Sequence, residues 1–207
     1  MKRLICLLLC LAMLVLAGCE KKDTDVSSQK SATGEIDNLV ADGKLDGIKF
    51  GLGADVSEIK AYYKNLANEY NNSHDHSDED INHIHDEDNY AYYAEKIEAD
   101  YTVIDISTAR FYYEKGKEDK GIAVIATDSA TFGFTPGVTT KYDVEDALKA
   151  DGETINAGET ELKFLAVRTE PVIVLRYEFG DYRLDYYFYD NVLITTVLAD
   201  TSVWKIK

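Results

Sequence analysis

Cysteine is almost absent from this chain, and the little there is lies at the N-terminus. The 207 residues contain three cysteines, Cys6, Cys10 and Cys19, so no thiol occurs from residue 20 onward. This excludes disulfides, thiolate metal ligands and a thiol nucleophile from the rest of the chain. A domain in that region must therefore rest on its own hydrophobic core, and its length is sufficient for one.

Positive charge is also scarce. Lys and Arg together number 22 against 38 Asp and Glu, which gives a formal net charge of −16. Phosphate backbones are bound by clustered Lys and Arg, so nucleic acid is not an expected partner. The same imbalance argues against electrostatic adhesion to anionic lipid. An acidic surface of this kind can instead concentrate cations near the protein.

Catalytic motifs are missing as well. The sequence has no Ser-centred G-x-S-x-G, no H-E-x-x-H and no P-loop. Acidic residues are so frequent that no pair of them stands out as an acid/base couple. We therefore predict that the protein is not an enzyme.

The N-terminus has the pattern of an export signal. Lys2 and Arg3 precede an apolar stretch that is too short for a membrane span, which needs about 20 residues. The stretch ends in L-A-G-C at residues 16–19, which resembles the lipobox of bacterial lipoproteins. The resemblance implies a signal peptide over 1–18 and covalent lipid on Cys19, which would anchor the chain at the extracytoplasmic face of the cell membrane. The alternative is an ordinary secretory signal in which the cysteine occurs by chance.

The rest of the chain divides into a polar segment and two similar copies. Residues 19–44 have few large apolar side chains, which is typical of a flexible tether, with a short helix over 36–41 as its one expected regular element. From residue 45 the sequence reads as two copies of one unit, 45–127 and 128–207, each beginning with a Phe-Gly turn.

Each copy predicts a capped helix followed by strands. An Asp-Val-x-acid sequence begins at Asp55 in the first copy and at Asp143 in the second, and each aspartate is expected to cap a helix. The first helix is expected to bury the residues that recur at helical spacing: Val56, Ile59, Tyr63 and Leu66. Alternating apolar residues and short turns then predict strands within 98–107, 109–115, 121–128, 161–169, 172–179, 182–189 and 192–199. The expected fold class is α+β, with two tandem repeats, each a capped helix followed by an antiparallel β-meander.

This arrangement resembles known non-enzymatic folds. A Phe-Gly turn, a capped helix and a meander, given twice on an exported protein, look like the β-lactamase-inhibitor-protein-like architecture. One such unit is similar to the small assembly lipoproteins of the SmpA/OmlA type. The resemblance covers 45–207 and implies binding of another protein, here an unidentified envelope or extracellular protein, through the sheet or its loops. The chain departs from the secreted inhibitors because it lacks their disulfide cysteines.

All four histidines lie in one acidic segment, HDHSDEDINHIHDED at 74–88, inside a loop insertion at about 71–90 of the first copy. Imidazole suits zinc and nickel, and two H-x-H pairs in extended chain can close a tetrahedral set. An aspartate can replace one ligand or orient an imidazole. Zinc is the expected ion, and its binding is expected to weaken towards pH 6. The candidate metal residues are His74, His76, His83, His85, Asp78, Asp80 and Asp86.

The histidine segment resembles the mobile acidic His-rich loop of zinc-receptor lipoproteins. Those receptors also hold metal in a cleft with histidines from two lobes, whereas this chain has no histidine outside 74–85. It is therefore not such a receptor, although an accessory metal-capturing role stays open. The alternative is a solvated acidic loop without a defined site.

Tyrosine is abundant, and the strand predicted over 182–189 is rich in it. The strand period places Leu184, Tyr186 and Phe188 on a core face. The other face carries the candidate partner-binding residues, because exposed aromatics beside an arginine are typical of protein-binding patches. These are Arg183, Tyr187 and Tyr189. Two alternatives are a second buried face and a stacking surface for glycans.

These patterns together predict a lipid-anchored envelope protein that binds another protein. The leading alternative is capture of zinc or nickel at the cell surface by the histidine segment. A third possibility is binding of glycan or cell wall through tyrosines.

Overall fold

The computed structural model describes residues 26–73, 93–98, 100–148, 152–158, 165 and 171–204. The chain forms two units, Met1–Ser31 and Ala32–Lys207. The described part of the first unit, residues 26–31, is helical. The second unit contains the sheet and the hydrophobic cores on its two faces.

The second unit has the predicted α+β class, built on one antiparallel sheet of eight strands. The described helices are α1 Val26–Ala41, α2 Val56–Ser73 and α3 Lys141–Leu148, with a 3₁₀ turn at Glu118–Lys120. The strands are β1 Tyr93–Glu98, β2 Tyr101–Ile106, β3 Arg110–Glu114, β4 Val124–Thr127, β5 Glu153–Asn156, β6 Ile173–Phe179, β7 Tyr182–Tyr189 and β8 Val192–Asp200. None of the helices in the described residues is both long and apolar enough to cross a membrane.

The strands form two meanders that meet at their last strands. The order across the sheet is β1-β2-β3-β4-β8-β7-β6-β5, and β4 pairs with β8 from Val124 opposite Ala199 to Thr127 opposite Thr196. The antiparallel pairing of consecutive strands expected from the short turns is observed, while the outer strands β1 and β5 were not predicted. The strand expected over 161–169 lies outside the described residues except for Leu165.

A first core lies between the helices and one face of the sheet. Helix α2 contributes Val56 and Ile59, both fully buried, and Tyr63 packs against them from a half-buried position. The expected burial of Leu66 is wrong, because its side chain is 43% exposed and Ala67 is buried in the next position. The buried face of the helix therefore continues through Ala67 and not through Leu66.

A second core covers the opposite face of the sheet. It is built from strand residues such as Tyr112 and Tyr187, and it is closed by Leu165, Val172 and Trp204 from outside the strands. Because both faces are buried, the central strands carry apolar residues on both sides, as their sequences do.

Two different residue types start helices α2 and α3. Asp55 Oδ1 accepts the backbone N–H of Glu58 at 2.9 Å, as its sequence pattern predicted. In α3 the cap lies three residues before the predicted one. Thr140 precedes the helix, its N–H and hydroxyl donate to Asp143 Oδ2 at 2.8 and 2.7 Å, and the N–H of Asp143 donates back to Thr140 Oγ1 at 3.3 Å. Asp143 is thus the third residue of a capping box rather than the cap, since threonine at the cap leaves both partners satisfied.

The polar segment before residue 45 is not a tether over its described C-terminal part. Helix α1 buries Ile36 and Val40 in the first core. It ends at Ala41 and is followed by Gly43, whose φ is +69°; the N–H of Gly43 donates to Val40 O and that of Lys44 donates to Leu39 O. This pair of bonds is a Schellman motif, which requires a left-handed residue at the helix end.

Candidate functional site

The predicted lipidation and metal residues lie outside the residues that the structure describes. They are Cys19, His74, His76, His83, His85, Asp78, Asp80 and Asp86. Helix α2 ends at Ser73 and strand β1 begins at Tyr93, so the histidine segment connects these two elements. Within the described ranges, no group of three or more His, Cys, Asp and Glu side chains is arranged to hold a metal ion.

The predicted tyrosine patch on strand β7 is wrong at its centre. Tyr187 is 0% exposed and belongs to the second core, while Arg183 and Tyr189 are half-buried. The physical reason is that Val172 and Trp204 cover this face of the sheet. The alternative of a second buried face is therefore what the structure shows, and glycan stacking loses the exposed tyrosines on which it depended.

Strands β6 and β7 carry a buried cluster of charged side chains where the sequence predicted an exposed patch. Asp185 is fully buried and receives Nε and Nη2 of Arg176 at 2.8 Å each, and Arg183 Nε lies 2.9 Å from its Oδ2. Arg176 and Asp185 are direct cross-strand partners on β6 and β7. A bidentate pair of this kind fixes the geometry of both side chains. The cluster is suited to holding the strands in register.

A second polar cluster joins helix α2 to the first strand. Lys60 Nζ lies 3.0 Å from Glu95 Oε2 and 3.5 Å from Glu118 Oε1, and Tyr93 donates its hydroxyl to Glu95 Oε1 at 2.6 Å. Burial alone would lower the pKa of Lys60, but hydrogen bonds with Tyr113 and Glu95 outweigh it and raise that pKa. A raised pKa favours the charged ammonium, and its ion pair with Glu95 ties α2 to β1.

Among the residues that the structure describes, the most exposed large apolar side chains lie at and just before the start of helix α3. Val138 is 73% exposed and Tyr142 is 65% exposed. Asp143 and Asp146 are exposed on α3, and the exposed Asp190 precedes Asn191, whose carbonyl oxygen accepts the N–H of Lys141 at the start of that helix. We call this region the α3 surface and define it by Val138, Tyr142, Asp143, Asp146 and Asp190.

The backbone under the α3 surface is held to strand β8. Gly137 donates to Leu193 O and Leu193 donates to Thr139 O, both at 2.8 Å, and Lys141 donates to Asn191 O at 3.0 Å. The exposed side chains therefore stand on a fixed backbone. The sequence indicates this exposure. Tyr142 lies two residues before the buried Val144, so it is not on the helical face that α3 buries.

Comparisons with known proteins give one distant similarity. No protein-family model matches the chain, and no curated protein matches it. Among solved structures, it is similar to a DUF4309 family protein (YjgB) from Bacillus subtilis, with a TM-score of 0.43 and 13% identity over 82% of this chain and 96% of that chain. A similarity at this level assigns neither a family nor a function.

Proposed function

We propose that the protein is a lipid-anchored, non-enzymatic binding protein of the bacterial cell envelope, and that it contacts a partner protein through the α3 surface. The observation that carries the proposal is the exposure of Val138 and Tyr142 on a backbone that strand β8 holds in place. Exposed apolar groups with a polar rim mark interaction sites, and tyrosine is enriched among the residues that dominate binding energy. A fixed backbone lowers the entropy lost on binding.

The test of the binding surface is site-specific photocrosslinking in intact cells. A photoreactive residue at position 142 is expected to give one discrete adduct. The same residue at position 66 is the matched control, because Leu66 is also an exposed apolar side chain but lies on α2. Equal adducts from both positions, or none from position 142, would contradict the proposal.

The lipid anchor is tested separately. Mass spectrometry of the membrane fraction is expected to find two or three acyl chains on an N-terminal Cys19, following the lipobox at 16–19. The variant Cys19→Ser is expected to leave the membrane fraction, since stable anchoring needs at least two acyl chains. An unmodified Cys19 in the wild type would contradict the lipid anchor but would leave the proposal about the binding surface unaffected.

The proposal includes the tandem repeat predicted from the sequence, with copies at 45–127 and 128–207. Its support is the order of elements, because helix α2 precedes β1–β4 and helix α3 precedes β5–β8. The fourth strand of each meander pairs with the fourth strand of the other. Two copies related by an approximate two-fold axis through this pairing would produce that strand order.

The second candidate function is metal capture by the histidine segment. The observation that favours it is the concentration of all four histidines and seven carboxylates in 74–88. Calorimetric titration with zinc at pH 7.5 is expected to give saturable binding near one ion per chain, lost at pH 5.5. The control is the same titration of a variant with all four histidines changed to alanine. A weak heat of zinc binding that is the same in the wild type and in this variant would exclude the site.

A further inference from the structure

A surface cavity between helix α1 and the 131–134 turn has a mixed lining. Its volume is about 250 Å³, and it is lined by Glu35, Ile36, Leu39, Asp46, Phe132 and Gly133. Pockets for drug-sized ligands usually measure about 300–1,000 Å³, so this cavity suits a smaller group. Its lining shares no residue with the α3 surface or with the set of residues predicted to bind metal.

The apolar wall of the cavity is held in place on both sides. Ile36 is buried in the first core, and Phe132 packs against that core from a half-buried position. The turn is fixed by backbone bonds of 3.0 and 2.9 Å between Thr131 and Phe134. In addition, Thr131 Oγ1 donates to the backbone O of Asp46 at 3.0 Å. The wall therefore exists before any ligand arrives.

Phe132 occupies a backbone position that is unfavourable for an aromatic residue. The turn residues Phe132 and Gly133 have φ of +54° and +79°. Both values belong to a type I′ hairpin turn, where asparagine or glycine is the usual first residue. A phenylalanine in the left-handed region is a true outlier. Phe132 lines the cavity, and an aromatic side chain there can attract a cation.

The polar part of the lining is acidic. Glu35 and Asp46 are exposed carboxylates at the cavity, and neither forms an ion pair within the described part of the chain. Two carboxylates exclude an anionic ligand and favour a cationic one. An aliphatic wall and an aromatic ring favour a hydrocarbon stem behind the charge, as in amphipathic amines.

We infer that this cavity binds a primary amine on a short aliphatic chain, the chemistry shared by a lysine side chain and a free alkyl diamine. The ammonium lies between Glu35 and Asp46, and the methylene groups pack on Ile36, Leu39 and Phe132. The inference does not rest on the proposed function, since neither the lipid anchor nor the α3 surface contributes to it.

The experiment is an NMR titration of the chain from residue 19 onward with Cys19→Ser, which leaves every described residue in place. The probe is n-hexylamine at pH 7, followed through the backbone amides of Ile36 and Gly133. A dissociation constant on the order of 1 mM is expected for so small a ligand. The neutral isostere n-hexanol is expected to bind at least tenfold more weakly.

Matched variants distinguish binding of the amine in the cavity from an effect of the overall charge of the protein. Glu35→Gln with Asp46→Asn is expected to weaken hexylamine binding at least tenfold. Asp37→Asn with Asp42→Asn removes the same charge from exposed neighbours that do not line the cavity, and binding is expected to stay within twofold. Phe132→Asn suits the turn better but removes the ring, and its affinity is expected to fall at least fivefold.

Three results would overturn the inference. They are the absence of shifts at Ile36 and Gly133 up to 20 mM amine, equal binding of hexanol, and equal losses in the two charge variants. Two further probes distinguish the sources of the amine. Tighter binding of cadaverine points to a free diamine, whereas tighter binding of Nα-acetyl-lysine methylamide points to a lysine side chain of a protein.

Discussion

Gly116 and Gly121 have almost the same backbone conformation but different surroundings. Their φ values are +74° and +73°. A Cβ at Gly116 would meet nothing within 4 Å, whereas one at Gly121 would lie 2.5 Å from the carbonyl oxygen of Gly53. Gly121 thus lets the chain after the 3₁₀ turn approach the start of α2, where Gly53 N–H bonds to Ile122 O at 2.8 Å.

We predict that alanine destabilises these two positions unequally. Gly116→Ala is expected to lower the free energy of unfolding by about 1 kcal/mol, the cost of the left-handed conformation alone. Gly121→Ala is expected to lower it by about 3 kcal/mol, because the overlap with backbone is added. Urea denaturation of both variants measures the difference. Equal losses would show that the close contact at Gly53 does not constrain the chain.

The buried carboxylate of Asp185 gives a second prediction at this scale. Asp185→Asn leaves two guanidinium groups with a neutral partner, and the free energy of unfolding is expected to fall by about 3 kcal/mol. The control is Asp128→Asn, which breaks the pair with Arg110 at a carboxylate that is 58% exposed. That change is expected to cost at most about 1 kcal/mol. A loss for Asp185→Asn no larger than the control would mean that the cluster adds little to stability.

The alternation of side chains on β7 was predictable, but the burial of its second face was not. A period of two placed Leu184, Tyr186 and Phe188 together, and all three lie in the first core. The same pattern said nothing about what covers Tyr187. Its cover comes from Leu165, Val172 and Trp204, which the strand sequence cannot reveal.

At the scale of elements, the starts of α2 and α3 make stability depend on pH. A hydrogen bond from Ser57 and the N–H of Glu58 lower the pKa of Asp55 below 3.8, and bonds from Thr140 lower that of Asp143 in the same way. Because both pKa values are lower in the folded state, the stabilisation is complete above the unfolded value. It is lost as the pH falls through the folded value.

We therefore predict that Asp55→Asn with Asp143→Asn lowers the melting temperature at pH 6.5 and that the gap to the wild type narrows between pH 6.5 and pH 2. Asparagine can still accept a hydrogen bond, so the difference in melting temperature reports the loss of the negative charge at the helix start. Melting curves at both pH values measure it. Asp146→Asn, beyond the first turn of α3, is the control and is expected to show no such closing gap. A gap of the same size at pH 6.5 and pH 2 would refute the electrostatic origin.

The positions of elements followed from the sequence more closely than their ends. Asp-Val-x-acid predicted a helix after both Asp55 and Asp143, but the second helix begins earlier because Thr140 and Asp143 form a capping box. In the same way, α1 extends over a segment whose polar composition suggested a tether. Its Ile36 and Val40 are too sparse to form an obvious stripe, yet they are enough to dock the helix.

At the scale of the whole molecule, the pairing of β4 with β8 was not predictable. Hairpin turns such as Asp190-Asn191, with φ of +47° and +68°, specify neighbours that are close in sequence. The contact of β4 with β8 joins residues about seventy positions apart, and no local pattern specifies it. The two meanders share one continuous sheet because of this pairing.

A shared sheet and shared cores predict a single unfolding transition. Trp204, the only tryptophan of the chain, packs on Tyr101 and Tyr112 of the first meander with ring centroids 5.4 and 6.1 Å apart. Its fluorescence therefore reports contact between the C-terminal end of the chain and the first meander. Circular dichroism in the far ultraviolet reports the backbone of the whole sheet.

We expect the urea midpoints from fluorescence and circular dichroism to coincide, as they do for a two-state domain. Gly121→Ala in the first meander and Asp185→Asn in the second are expected to shift both midpoints together. If the meanders unfolded independently, circular dichroism would show a second step that fluorescence lacks. Each variant would then shift the midpoint of only one of the two unfolding steps. Coincident shifts in both variants would instead mean that the β4–β8 pairing and the common cores make the eight strands one cooperative unit.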